Sequence, residues 1–160
     1  LSLSVVALKK ILKKEKIEHE SDISWGSAVA LLFEHFVEDH LIQPTFIFDF
    51  PVETSPLAKI KKDDSRFVER FELYIDGMEI ANSYSELNDP EVLRRNWKEQ
   101  EKQAKRGHAE AQRMDSDFLH ALEIGMPPTS GLGIGVDRLV MILTGSTSIK
   151  DVIFFPFMKQ

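Results

Sequence analysis

The sequence predicts an α+β fold in which an antiparallel sheet is flanked by helices. Alternating apolar residues on both sides of Asp76-Gly77 predict a β-hairpin at residues 67–86. Apolar residues at helical spacing occur both before and after this hairpin. The chain of 160 residues has the length of one ordinary domain and shows neither an internal repeat nor a linker. We therefore expect residues 1–160 to form a single domain.

Two helices are predicted ahead of the first strand. Leucine, isoleucine and valine recur at helical spacing between lysines, which predicts an amphipathic helix over residues 3–17 within a helical lead-in at 1–20. Ser24 can cap a second helix through its side-chain oxygen, and the apolar pattern extends that helix to about His40.

A strand and a loop are predicted between these helices and the hairpin. Residues 45–50 are β-branched and aromatic, and Pro51 ends the strand because it has no N–H to donate. Residues 52–65 carry a proline and a cluster of charges, which predicts an exposed loop. The sequence leaves open whether this loop is mobile or is ordered and faces a substrate.

The second half of the chain alternates helices with glycine-rich and apolar segments. Charged residues surround few apolar ones at 89–107, which predicts a solvent-exposed helix. Later segments are predicted as a short helix ended by Gly125, a glycine-rich strand, a helix that Arg138 begins, and a closing strand. The short helix covers residues 116–124 and the closing strand 152–157.

Composition excludes several classes of protein. Hydrophobic residues make up 42% and charged residues 29%, with 8 Gly and 7 Pro, which excludes collagen-like, low-complexity and wholly disordered chains. The absence of Cys excludes disulfide scaffolds, thiolate metal sites and cysteine nucleophiles. A net charge of -6 argues against a surface that binds nucleic acid throughout, and the apolar stretches are too short to span a membrane.

The glycine-rich segment places Gly131, Gly133 and Gly135 on one strand. The spacing G-x-G-x-G is not the dinucleotide-binding fingerprint, and the 25 residues that follow Gly135 are too few for that fold. Alternating glycines suit close packing under a helix, or a flat floor for a planar ligand. Arg138 favours the ligand, because its guanidinium can stack on an aromatic ring or pair with phosphate.

Asn82, Tyr84 and Glu86 occupy alternate positions and share one face of a continuous strand. An amide, an aromatic ring and a carboxylate suit an ammonium ligand with an apolar stem. The alternative is that these side chains form the hydrated outer face of an edge strand.

Glu72 and Glu79 flank the turn and become diagonal neighbours if the hairpin loop has two residues. Two adjacent carboxylates repel each other unless a divalent cation or a shared proton intervenes. Strict alternation places them on the face opposite Asn82, Tyr84 and Glu86. Either the two groups serve different purposes, or a bulge lies between Glu79 and Asn82.

Four segments together resemble the class II lysyl-tRNA synthetases, over roughly residues 22–159. Residues 131–139, Gly-Leu-Gly-Ile-Gly-Val-Asp-Arg-Leu, are similar to motif 3, which the whole class shares. More specific to the lysine enzymes are Phe-Pro-Val-Glu-Thr-Ser-Pro-Leu-Ala-Lys at 50–59 and the hairpin segment at 70–89, which contains Glu-Ile-Ala-Asn-Ser-Tyr-Ser-Glu-Leu. Residues 41–47, Leu-Ile-Gln-Pro-Thr-Phe-Ile, complete the set.

The resemblance implies a role for each residue in the hairpin. Glu72 and Glu79 would hold the magnesium ions that bridge the phosphates of ATP. Asn82 would contact the main-chain groups of the amino acid, Tyr84 its side-chain stem and Glu86 its ε-ammonium group. Both groups then line one cleft, so we expect the strand to be bulged or sharply twisted between Glu79 and Asn82.

The glycine strand and the arginine after it would complete the ATP site. Gly131, Gly133 and Gly135 would form the floor of the adenosine and amino-acid pocket, and Arg138 would stack on adenine near the phosphates as the catalytic residue. The implied activity is ATP-dependent activation of lysine and its transfer to tRNA(Lys), in a cytoplasmic enzyme that is a homodimer at full length.

Parts of the family's architecture have no counterpart here: the anticodon-binding barrel, the motif 1 helix and the arginine-bearing motif 2. We therefore expect the C-terminal portion of a class II synthetase catalytic domain, inactive alone. Two alternatives remain: a paralogue that lysylates elongation factor P, and a synthetase-like module that binds without catalysing ligation.

Overall fold

The computed structural model describes residues 3–105 and 115–157, with only the backbone for 102–105. Its helices are α1 (Val5–Lys14), α2 (Trp25–Phe36), α3 (Pro90–Lys105), α4 (Ser116–Ile124) and α5 (Val136–Thr144). Its strands are β1 (Thr45–Phe48), β2 (Arg70–Ile75), β3 (Met78–Ser85) and β4 (Ser130–Ile134). Short 3-10 helices cover Glu38–His40, Val52–Thr54 and Ile149–Asp151. None of the helices in these ranges is long and apolar enough to cross a membrane.

The four strands form one antiparallel sheet in the order β1-β2-β3-β4. The predicted hairpin is present: Ile75 pairs with Met78 across the two-residue turn at Asp76-Gly77. Both turn residues have positive φ, 55° and 69°, as a tight hairpin turn requires. The α+β prediction is confirmed, and β3 lies inside the sheet between β2 and β4.

The hairpin contains the bulge that the sequence analysis expected. Tyr74 pairs with Glu79, but the preceding residue Leu73 pairs with Ala81, so Ile80 is an extra residue in β3. An extra residue shifts the alternation of side chains by one position. Glu79 therefore lies on the same face of the sheet as Asn82, although the two are three positions apart.

Caps and buried leucines fix the predicted helices. The Ser24 hydroxyl accepts a hydrogen bond from the Ser27 N–H at 3.0 Å, which confirms the predicted cap of α2. Leu8 and Leu12 of α1 pack on Ala28 of α2. A second cluster joins α3 and α4 to the end of β3; it consists of Leu87, Leu93, Trp97, Leu119 and Leu122.

The connection from β1 to β2 is more ordered than the exposed loop that the sequence predicted. Ser55 and Ala58 are buried, and Ala58 forms an isolated bridge with Glu86. Within residues 52–65, those exposed as predicted are Glu53, Lys62, Asp63 and Ser65. β1 ends at Phe48 rather than at residue 50, because Asp49 takes a φ of 64°, which no strand residue can adopt.

The predicted closing strand at residues 152–157 is wrong. The chain leaves α5 through Gly145 in the left-handed conformation, forms the 3-10 helix Ile149–Asp151 and pairs with no strand from there to residue 157, the last one described. Residues 154–156 pair with none of the four strands, and both Phe154 and Phe155 are exposed. An aromatic run signals a strand only where a neighbouring strand meets it, and Pro156 also lacks an N–H for such a ladder.

Candidate active site

The bulge collects six polar side chains on one face of the sheet, which we call the site face. Cross-strand pairing places Tyr74 opposite Glu79, Glu72 opposite Asn82 and Arg70 opposite Tyr84. The hydrated edge strand considered for Asn82, Tyr84 and Glu86 is wrong, because β3 is an interior strand. The six residues of the site face are Arg70, Glu72, Tyr74, Glu79, Asn82 and Tyr84.

Glu72 is buried at the centre of the site face, with 5% of the residue exposed. The Arg70 guanidinium donates to its Oε1 at 2.5 Å, and the Tyr74 hydroxyl donates to its Oε2 at 2.7 Å. The Asn82 amide nitrogen approaches Oε1 at 3.4 Å. A buried carboxylate needs such partners, because an unpaired one costs several kcal/mol, about 3–5 when a partner is removed.

Arg70 joins this carboxylate to the loop that precedes β2. Its Nε donates to Asn82 Oδ1 at 3.2 Å, and another guanidinium nitrogen donates to Ser55 Oγ at 2.8 Å. The guanidinium also lies 4.6 Å from the centre of the Phe50 ring, within cation–π range. Neither Arg70 nor Tyr74 was predicted from the sequence as a site residue, although both alternate with Glu72 along β2.

Glu79 lies at the edge of the site face next to the helix α5. Burial raises the pKa of its carboxyl above the usual 4.5, the charge of Glu72 raises it further, and Arg138 opposes both. Arg138 Nη1 donates to the Glu79 carbonyl oxygen at 2.7 Å and lies 3.9 Å from its carboxylate. The guanidinium therefore points back from α5 to β3, and its side chain passes Gly135 at the end of the glycine strand.

The pair Glu72 and Glu79 fits the magnesium that the family resemblance implies. Mg²⁺ is held by one or two carboxylates together with substrate phosphates and water, rather than by a cage of protein ligands. No group of three or more acidic or histidine side chains that could hold a metal occurs within residues 3–105 and 115–157. The Glu72 carboxylate offers about four acceptor positions and uses three, so it retains capacity for an ion beside Glu79.

The glycines of β4 open a cavity of about 360 Å³ beside Arg138 and Glu79. Gly133 pairs with Asn82, and a Cβ added there would come no closer than 3.8 Å to any neighbour. At Gly135 the nearest atom would be the Ile80 carbonyl oxygen, at 3.6 Å. No packed helix requires glycine at these two positions, so the structure favours the open floor over the packing explanation.

Gly131 differs from the other two glycines. It pairs with Tyr84, and a Cβ built on it would lie 2.6 Å from the Glu86 Oε1. Real carbon and oxygen atoms do not approach so closely without bonding. The Glu86 carboxylate therefore occupies the space that a side chain at 131 would fill.

The Glu86 carboxylate has no cationic partner and no hydrogen-bond donor among the described residues. The residue is half-buried, and burial raises the pKa of its carboxyl above the usual 4.5. Burial also raises the pKa of the neighbouring Tyr84 hydroxyl, and the Glu86 charge adds to that effect. A ring beside an uncompensated carboxylate is an arrangement that binds an ammonium group on an apolar stem.

A larger cavity of about 800 Å³ lies away from these residues. It is formed by the α1–α2 connection, α2, the 3-10 helix Val52–Thr54 and α3. None of the site residues predicted from the sequence lines it. Size alone therefore does not mark the candidate active site, whereas the polar side chains of the site face do.

Comparison with the sequences of known proteins places the chain in a family. The profile of the tRNA synthetases class II (D, K and N) matches residues 6–159. The chain is 56% identical to lysine–tRNA ligase 2 of Methanosarcina mazei over 158 residues, which are 98% of this chain and 31% of that protein. It is 55% identical to the lysine–tRNA ligase of Thermoanaerobacter pseudethanolicus over 150 residues, 94% of this chain and 30% of that protein.

A third relative, the lysine–tRNA ligase of Listeria welshimeri, is 52% identical over 152 residues, 95% of this chain and 30% of that protein. The chain thus spans about 30% of the length of the curated relatives it matches. Because the family profile covers nearly all of its residues, the chain belongs to the class II tRNA synthetases of the D, K and N group.

Proposed function

We propose that this chain is the C-terminal portion of the catalytic domain of a lysine–tRNA ligase. The lysine carboxylate attacks the α-phosphorus of ATP, which forms lysyl-adenylate and releases pyrophosphate. A hydroxyl of tRNA(Lys) then takes the lysyl group, and AMP leaves. The names of the relatives support this reaction, and they do not favour the paralogue that lysylates elongation factor P or the non-catalytic module.

The observation that carries the proposal is the unpaired carboxylate of Glu86. Half-buried and beside the Tyr84 ring, it accepts the ε-ammonium group of lysine, while the ring contacts the methylenes of the stem. Asn82, held by Arg70, contacts the main-chain groups of lysine. An uncharged amino acid of the same length leaves the Glu86 carboxylate desolvated and unpaired, and is rejected for that reason.

ATP lies over the open floor at Gly133 and Gly135, with Arg138 at its phosphates and against adenine. Such a phosphoryl displacement depends on positioning and charge neutralisation more than on a general base. Arg138 uses one guanidinium nitrogen to hold the Glu79 carbonyl and keeps its other N–H groups for the nucleotide. Magnesium, when bound, neutralises phosphate charge, and Glu79 and Glu72 are the residues that hold it.

We infer further that residues 1–160 form one structural unit and that the full-length enzyme is a cytoplasmic homodimer. The single sheet and the family membership support the first inference. Activity then requires the parts of the synthetase that this chain does not contain, so the isolated chain does not activate lysine.

Replacing Glu86 by glutamine tests the function. In the full-length protein, Glu86→Gln weakens lysine-dependent exchange of pyrophosphate into ATP by about a hundredfold in kcat/KM, because one charge-assisted contact is lost. Glu69→Gln, at an exposed residue just before β2, is the matched control and leaves the exchange rate as it is. Unchanged lysine kinetics in Glu86→Gln would remove this residue from lysine recognition, and with it the main support for the proposed substrate.

A further inference from the structure

The Glu86 carboxylate occupies the space that a side chain at residue 131 would need. The Glu86 carboxylate reaches back from the end of β3 along β4, so that its Oε1 lies 2.6 Å from the position of a Cβ at residue 131. The next atom of Glu86, Cδ, lies 3.8 Å away, and no other atom comes within 4 Å. The contact is therefore confined to the end of one flexible side chain.

Neighbouring contacts fix both backbones, so the carboxylate alone can move. The Glu86 N–H donates to the Thr129 carbonyl oxygen at 2.9 Å, and the Ser83 hydroxyl donates to the Gly131 carbonyl oxygen at 2.8 Å. Gly131 itself pairs with Tyr84 in a regular ladder. A methyl group at 131 therefore leaves the strands in place and moves the carboxylate by roughly 1 Å, to reach ordinary contact distance.

Backbone conformation does not explain the glycine. Gly77, Gly125 and Gly145 have positive φ, whereas Gly131 does not, so an alanine fits its backbone without strain. Packing gives no second reason for glycine, because a Cβ at residue 131 would meet only the Glu86 carboxyl group among the described residues beyond its chain neighbours.

We propose that Gly131 sets amino-acid specificity by leaving room for the Glu86 carboxylate, rather than by forming the floor under ATP. The proposal rests on the proposed function, in which Glu86 binds the ε-ammonium group of lysine. Gly133, two residues further along the same strand, has no such contact with Glu86 and lines the cavity beside Asn82, Glu79 and Arg138. Of the three glycines of β4, only Gly131 therefore makes room for the Glu86 carboxylate.

A mutant cycle between Gly131→Ala and Glu86→Ala tests the inference. The full-length protein is assayed by pyrophosphate exchange with lysine and, separately, with ATP as the varied substrate. We expect Gly131→Ala to raise the KM for lysine by about ten- to a hundredfold, because a catalytic or binding group displaced by 1 Å loses that much. The KM for ATP stays unchanged. In the Glu86→Ala background, where the carboxylate is absent, Gly131→Ala has no further effect on lysine.

Gly133→Ala serves as the matched comparison, because it adds the same methyl group to the same face of β4. Its Cβ lies nearest to Asn82 rather than to Glu86, so its effect on the KM for lysine is the same with and without Glu86, whereas that of Gly131→Ala disappears without Glu86. An effect of Gly131→Ala on ATP alone, or equal effects of Gly131→Ala with and without Glu86, overturns the inference.

Folding and the proposed function are controlled separately. If Gly131→Ala shows no cooperative thermal unfolding, the double variant Gly131→Ala/Glu86→Ala regains it, since the clash involves Glu86 alone; failure of the double variant to fold contradicts the inference. If Glu86→Ala itself leaves lysine kinetics unchanged, the proposed function fails. A large effect of Glu86→Ala without one of Gly131→Ala refutes only the role of Gly131.

Discussion

Arg70→Met tests whether the buried network organises the site face. Methionine keeps an unbranched apolar stem against Phe50 and removes the guanidinium. The change withdraws the hydrogen bonds to Glu72, Asn82 and Ser55, at 2.5, 3.2 and 2.8 Å. Glu72 keeps only the Tyr74 hydroxyl and the more distant Asn82 amide, while its side chain remains 7% exposed.

The expected loss in free energy of unfolding follows from this burial. Removing one partner of a buried ion pair costs about 3–5 kcal/mol, because the other charge is left without compensation in a poorly solvated place. Only 17% of the Arg70 side chain is exposed, so solvent screening discounts the loss little. Replacing both partners, as in Arg70→Met/Glu72→Leu, removes the uncompensated charge and restores most of the stability.

Urea unfolding of the chain, followed by tryptophan fluorescence, measures the effect. Arg66→Met is the matched control, because Arg66 also pairs with a carboxylate, that of Asp64, and lies 5.3 Å from the centre of the Phe67 ring, but in solvent. We expect its free energy of unfolding to stay near that of the unchanged chain. A loss from Arg70→Met no larger than that from Arg66→Met would refute the network, as would a double variant less stable than Arg70→Met.

Two further variants test a cap and a titrating group. Ser24→Ala removes the hydroxyl that caps α2 and lowers the free energy of unfolding by about 1 kcal/mol, whereas Ser21→Ala, at an exposed neighbour, does not; equal values contradict the cap. The pKa of the Glu79 carboxyl is higher in the folded protein than its usual value of 4.5. Protonation of Glu79 therefore stabilises the fold: this contribution is fully present below pH 4.5 and is lost as the pH rises through the raised pKa. Without ATP or magnesium, the free energy of unfolding of Glu79→Gln in urea therefore increases relative to that of the unchanged chain as the pH rises from about 4 to about 7. A difference between the two free energies that stays constant across that range contradicts the assignment.

The bulge in β3 could be predicted from the sequence only in part. Period-two alternation alone left two possibilities, and only the need to bring Glu79 and Asn82 into one cleft favoured an extra residue. The structure has that residue at Ile80. Strand propensity cannot identify such a site, because a bulge changes which side chains share a face without changing the residue types.

The hydrogen-bond partners of Glu72 on the site face could not be predicted from the sequence. Arg70 and Tyr74 alternate with Glu72, but alternation also describes an ordinary solvated strand face. Their roles depend on the loop at 52–58, which buries Ser55 and encloses the Arg70 guanidinium. The wrong strand at 152–157 has a similar cause, since an apolar run becomes a strand only when a neighbour in the fold pairs with it.

The carboxylates of Glu72, Glu79 and Glu86 differ in how far the fold compensates their charge, and this difference supports the proposed role of each. Glu72 receives hydrogen bonds from Arg70, Tyr74 and Asn82, which balance most of its charge within the protein and leave one acceptor position for an ion. Glu79 and Glu86 are partly desolvated; burial raises the pKa of each carboxyl, and the charge of Glu72 raises that of Glu79 further. An uncompensated charge lowers stability, and that cost is recovered when a cation binds. One such position beside Arg138 and one beside Tyr84 match a magnesium-bound nucleotide and an amino acid with a cationic side chain, the two small substrates that the proposed ligase brings together.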